Sequence, residues 1–231
     1  MGDKNSDNKR QKNTGANKPQ PFLKVLVSMI GYGGYAAINA VRFPYFTIKK
    51  KAMRNREINA SKELAFPLNG QGLGILKDMR IGSHNFAHSG CGAIATFNAL
   101  SMAGMKPDMV EIVDFYERKG LVFNAGLGIN PAAVKKYLSK TGLTWKCYKG
   151  KRDWDACLGD NQTAIMLYFW VSPKGMGAHY VSMEKCPKGI RVYNVYGNRD
   201  TAYEFEDIQA FLESGNYKKV VSMFVIDRDV Q

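Results

Sequence analysis

The sequence is short of the residues that build metal centres and disulfide frameworks. Its 231 residues include three histidines (His84, His88 and His179) and four cysteines (Cys91, Cys147, Cys157 and Cys186). The cysteines lie 56, 10 and 29 residues apart, with no CxxC or CxxH pair, which argues against a structural zinc site. There is no GxGxxG after a strand-like run, no GxxxxGK[ST] and no GxSxG. Dinucleotide, P-loop and serine-elbow chemistry therefore have no basis in the sequence, and no cofactor is implied. No repeat of 20–50 residues and no heptad or Gly-X-Y period is present, which excludes solenoids and fibres.

What the chain has in excess is positive charge, unevenly placed. The formal net charge is +13, of which residues 1–60 carry +9 and residues 61–231 only +4. A nucleic-acid-binding domain spreads basic residues over a folded face among stacking aromatics. A basic appendage beside an apolar run instead suits an anionic membrane surface, so residues 22–56 are a candidate membrane contact and no nucleic acid is expected.

Residues 1–21 hold almost nothing apolar and read as a disordered basic tail. Gly2 with Ser6 also fits the short myristoylation pattern. Val25 to Val41 is uncharged for 17 residues, flanked by Lys24 and by Arg42, Lys49, Lys50, Lys51, Arg54 and Arg56. A bilayer span needs about 20 mainly apolar residues. Three fates stay open for segment 22–60: a single span, an interfacial helix rich in aromatics, or a helix packed on the protein's own core, which would leave the protein cytoplasmic. Residues 48–75 read as a polar connector ending in the turn-rich Pro67-Leu-Asn-Gly-Gln-Gly, and the folded domain is expected over 75–231.

Within that domain the pattern is helices first, strands later, an α+β arrangement. Cys91–Ala103 is apolar nearly all round and reads as a buried helix. A helix over Pro107–Lys119 with Gly120 as its stop follows, then one capped by Asn130-Pro131 and stopped at Gly142. Strands are expected over 144–149, 164–171, 179–185, 190–196 and 220–226, with a short helix over 206–214.

Cys91 stands out by position, between Gly90 and Gly92 at the head of the buried helix. The positive end of the helix dipole favours a thiolate there, and the glycines are expected to let a substrate backbone approach. A buried cysteine at a helix start is also a common structural feature. His179 heads a strand, where an imidazole facing a cleft can serve as general base. Asn194 lies on the next strand, close enough across a hairpin for its amide to orient the ring. Asn85, six residues before Cys91, is a candidate oxyanion donor beside the Cys91 N–H.

The segments Asn85-Phe-Ala-His-Ser-Gly-Cys91-Gly-Ala-Ile-Ala-Thr-Phe-Asn-Ala-Leu, Gly177-Ala-His179-Tyr-Val-Ser-Met and Val192-Tyr-Asn194-Val-Tyr-Gly-Asn resemble the papain-like cysteine peptidases, nearest the branch that processes double-glycine leaders. The resemblance covers about residues 75–226. It implies a papain-like fold with the nucleophile on a central helix packed on an antiparallel sheet. It implies a thiol-protease mechanism with Cys91 as nucleophile, His179 as base and Asn194 as third member, acting on a peptide or protein. Asn85 stands where the family usually has Gln, and Cys-Gly-Ala replaces the more usual Cys-Gly-Pro. A Cys-His amidase or acyltransferase, or a non-catalytic membrane-associated binding protein on the same scaffold, are the competing readings.

Overall fold

The computed structural model describes residues 45–60, 64–82, 84–118, 122–123, 128–173 and 175–228. The tail 1–21 and the apolar run 25–41 lie outside them. The helices are α1 (Tyr45–Ala60), α2 (Phe86–Ser89), α3 (Cys91–Met102), α4 (Met109–Arg118), α5 (Pro131–Thr141) and α6 (Ile208–Glu213). The strands are β1 (Arg80–Ile81), β2 (His84–Asn85), β3 (Val122–Phe123), β4 (Gly128–Ile129), β5 (Trp145–Tyr148), β6 (Gln162–Ser172), β7 (Gly175–Cys186), β8 (Gly189–Tyr193), β9 (Tyr203–Phe205) and β10 (Tyr217–Asp227). β5 to β10 form one six-stranded sheet in the order β5-β10-β6-β7-β8-β9, with every neighbouring pair antiparallel. The fold is α+β, helices in the first half and sheet in the second.

Strand alternation sorts the sheet's side chains onto two faces. Ile165, Leu167, Tyr180, Phe224 and Ile226 join the core built with α3, α4 and α5. Ala164, Met166, Val181, Met183, Met223 and Val225 join a second core closed by Trp154, Ile208 and Phe211. α3 is buried from Cys91 to Leu100, as its all-round apolar sequence predicts, and packs on β7 and β6. α5 starts and stops on its expected signals. The Asn130 side chain accepts from the Ala132 N–H, and Gly142 takes a left-handed φ of 80°. α4 begins two residues later than its proline predicts, because Asp108 caps it through the Val110 N–H.

Residues 48–75 are not a connector. α1 occupies 45–60 and packs against α4, so the packed unit begins well before residue 75. Its polar sequence hid this, because beside Ile58, which packs on the helical core, the helix docks through polar contacts. Asn55, fully buried, brackets Arg80 by donating Nδ2 to its carbonyl (2.9 Å) and accepting its N–H (2.9 Å). Lys51 Nζ donates to the Glu117 carboxylate at 2.8 Å and to the Gly82 carbonyl at 2.7 Å. Glu117 also accepts the Gly82 N–H at 2.7 Å. Leu68 and Leu76 complete the seal as members of the helical core. Among the described residues no helix is long and apolar enough to cross a membrane.

Candidate active site

Cys91 opens α3, with Gly90 as the residue before it, and its side chain is buried. The glycines on either side serve the protein's own packing rather than an approaching ligand. A Cβ on Gly90 would lie 2.6 Å from the Phe86 ring, and one on Gly92 would lie 3.0 Å from Ile129 and 3.2 Å from Tyr180. Both positions are small because α2, β4 and β7 press onto the helix start. Tyr180 donates its hydroxyl to the Ile129 carbonyl at 3.1 Å, tying β7 to that corner.

His179, the fifth residue of β7, is hydrogen-bonded to Cys91. The two side chains, 88 residues apart in sequence, therefore meet. His179 pairs across the sheet with Tyr168, whose ring meets the imidazole edge-on at 5.9 Å. Nε2 donates to the main-chain carbonyl of Asn194 at 2.7 Å, which leaves Nδ1 for the thiol.

The electrostatics of the pair are mutual. Burial alone pushes the Cys91 thiol up, but the hydrogen bond and charge of His179, helped by main-chain N–H groups at Tyr180 and Gly92, outweigh it and hold the thiol below its ordinary value. Burial alone would discharge His179, and the Cys91 hydrogen bond and charge, with the Asn194 carbonyl, overcome that and raise the imidazole above its ordinary value. Each partner favours the charged form of the other. The Cys147 and Cys157 thiols shift the opposite way, pushed up by desolvation. All four cysteines are free.

Asn194 orients the ring differently from expectation. It follows β8 with φ of 58°, so the chain turns out of the ladder and aims its carbonyl, not its amide, at His179. The side chain is fully buried, and neither Oδ1 nor Nδ2 has a hydrogen-bond partner among the described residues. Its own N–H donates to Asn69 Oδ1 at 2.7 Å, 125 residues away.

Asn85 caps α2, its Oδ1 accepting the His88 N–H at 3.2 Å. A second amide, Gln71, lies against the same short helix. Its Nε2 donates to the Ala87 carbonyl at 2.9 Å, and its Oε1 is buried with no hydrogen-bond partner among the described residues. Sequence reasoning passed over Asn69 and Gln71, because Pro67-Leu-Asn-Gly-Gln-Gly signals only a turn. His84 and His88 meet each other with ring centroids 4.5 Å apart and planes tilted by 35°. No group of three His, Cys, Asp or Glu side chains among the described residues could hold a metal ion. No protein-family model matches the chain and no curated protein is similar to it, and the chemistry of the site rests on its own geometry.

Proposed function

We propose that the chain is a thiol-dependent hydrolase, a cysteine peptidase on a papain-like scaffold. The observation that carries this reading is the hydrogen-bonded Cys91–His179 pair at the head of the buried helix, with a thiol held low and an imidazole held high. Cys91 thiolate attacks a peptide carbonyl, and His179 gives its proton to the leaving amine. The resulting thioester is hydrolysed by water that neutral His179 deprotonates. The Asn194 carbonyl keeps Nε2–H in place, so the same ring nitrogen faces the sulfur throughout. In this reading the Asn85 amide assists the Cys91 N–H in holding the oxyanion.

The test is cleavage of a peptide library by the wild-type protein and by Cys91→Ala. Sequence-selective cleavage lost in the variant, with the circular dichroism spectrum unchanged, is the expected result. Cleavage that survives in Cys91→Ala overturns the reading, and a product carrying an added amine reassigns the enzyme as an acyltransferase. In the same assay Asn85→Ala is expected to lower kcat on the order of a hundredfold. A kcat within about twofold of wild type leaves Asn85 as a helix cap alone.

The exposed basic residues Lys49, Lys50, Arg54 and Arg56 of α1 support a second proposal, contact with an anionic lipid surface. Co-flotation with phosphatidylserine vesicles that high salt abolishes is expected. Equal flotation with neutral vesicles counts against it.

A further inference from the structure

The residues that hold the candidate pair form a closed circuit that starts and ends on α3. Asn98, fully buried on that helix, accepts the Leu68 N–H on Oδ1 at 2.9 Å and donates Nδ2 to the Leu68 carbonyl at 2.8 Å. The next residue, Asn69, is buried and accepts the Asn194 N–H at 2.7 Å. The Asn194 carbonyl accepts His179 Nε2 at 2.7 Å, and His179 meets Cys91, seven residues before Asn98 on the same helix. The strap is locked beside this line as well. Gly72 N–H donates to the Gly197 carbonyl at 2.6 Å, and a Cβ on Gly72 would stand 2.9 Å from that oxygen.

We infer that Asn69 is the positioning residue of this site: by gripping the Asn194 main chain it fixes the carbonyl that sets the His179 ring, a task the Asn194 side chain does not perform. Three observations converge on it. Asn194 has an uncommon left-handed backbone for a non-glycine residue, which something must hold. Its side chain is buried with no hydrogen-bond partner among the described residues, so the holding comes through its main chain. Its N–H donates to Asn69, whose own backbone neighbour is pinned to the helix that carries Cys91. The strap 67–72 thus measures the distance between sulfur and imidazole through side-chain amides rather than through the sheet.

This inference rests on Cys91 and His179 being the reacting pair, and the test separates the two claims. The second-order rate of Cys91 alkylation by iodoacetamide is measured by mass spectrometry on the full chain across the neutral and alkaline range, without any substrate. In Asn69→Ala the rate near neutral pH is expected to fall on the order of tenfold or more, with reactivity returning only where an unpaired thiol ionises. Asn69→Asp keeps an acceptor of the same reach and is expected to restore the neutral-pH rate. A purely structural Asn69 would lower the melting temperature and leave the pH profile in place, and a profile superposable on wild type overturns the inference. Asn69→Ser, too short to reach the Asn194 N–H but polar, gives the same reading if the alanine variant does not fold. His179→Ala is the control for the parent claim. If it leaves the Cys91 rate unchanged, the pair itself is wrong, whereas loss in His179→Ala with none in either Asn69 variant removes Asn69 alone.

Discussion

Lys51–Glu117 and Cys91–His179 are both pairs of ionisable side chains taken out of water, and they balance in different ways. The Glu117 carboxyl is nearly inaccessible and receives Lys51 Nζ and the Gly82 N–H, yet burial still pushes it above the ordinary carboxylate range. At Cys91 burial pushes the thiol the same way and His179 reverses it. The difference lies in what surrounds each pair. Lys51–Glu117 fastens one helix to another with hydrogen bonds that end on backbone. In Cys91–His179 each member is a weak acid or base whose ordinary value lies within a few units of neutrality, and each shifts the other toward its charged form. A buried pair of strong ions can serve as a fastener, and a buried pair of weak ones can be set to react.

The sharpest way to break this contrast is at His179. His179→Ala removes the group that lowers the thiol, so Cys91 alkylation near neutral pH, expected to be the fastest of the four in the wild type, is expected to drop below that of the exposed Cys147. A Cys91 rate that stays the fastest of the four in the variant would mean the helix terminus alone activates it. The pH profile carries the same sign. With the thiol lowered and the imidazole raised, labelling should persist below the ordinary thiol range and weaken on acidification as Cys91 takes up its proton. Turnover should also fall on the alkaline side as His179 loses the proton that the leaving amine needs.

Next in size is Lys51→Met, which leaves Glu117 buried with no cation. It is expected to lower unfolding free energy by about 3–5 kcal/mol, measured by urea denaturation. The Glu117 carboxyl is already raised in the folded state, so its contribution favours folding below the unfolded carboxyl value and weakens as pH rises through the folded one. The variant should therefore recover stability on mild acidification. Combining it with Glu117→Leu should restore most of the loss, and a double variant no more stable than the single one would show that the helix contact needs its charges. The smallest effect belongs to Lys140–Glu111, an exposed pair at 3.1 Å. Lys140→Ala is expected to change stability by less than about 1 kcal/mol. A larger loss would mean that its position over the Phe115 ring, 5.8 Å from the centroid, matters more than its charge.

The α+β order and most elements could be read from the residues because they rest on local signals. Asn130 and Gly142 bound α5, and the Pro187-Lys188 turn joins Cys186 to Gly189 in a two-residue hairpin. The apolar runs of β6, β7 and β10 were visible, though each strand extends beyond them by one or more residues, since pairing carries along the polar ends of β6 and β10 and the glycine-containing start of β7. β9 is three residues long and gives no pattern to find. α1 was missed for a physical reason: it docks through Lys51, Asn55 and Ile58 rather than through an apolar stripe. At the site, the meeting of Cys91 with His179 followed from residue type and position. The role of the Asn194 carbonyl did not, because a φ of 58° at a non-glycine leaves no trace in composition. Asn69 and Asn98 were equally hidden, since a single asparagine in a turn or a helix carries no mark of the partner it bonds.

The place of β10 in the sheet has a consequence for when the site can assemble. It lies between β5 and β6, covering one edge of each, while β6 in turn supports the strand that bears His179. A nascent chain with α3 and the β6–β7 hairpin already outside the ribosome still lacks residues 217–227, and two strand edges stand bare until they emerge. Until that insertion β6 has only β7 to pair with, so the sheet that carries His179 is completed only when nearly all of the described fold is available.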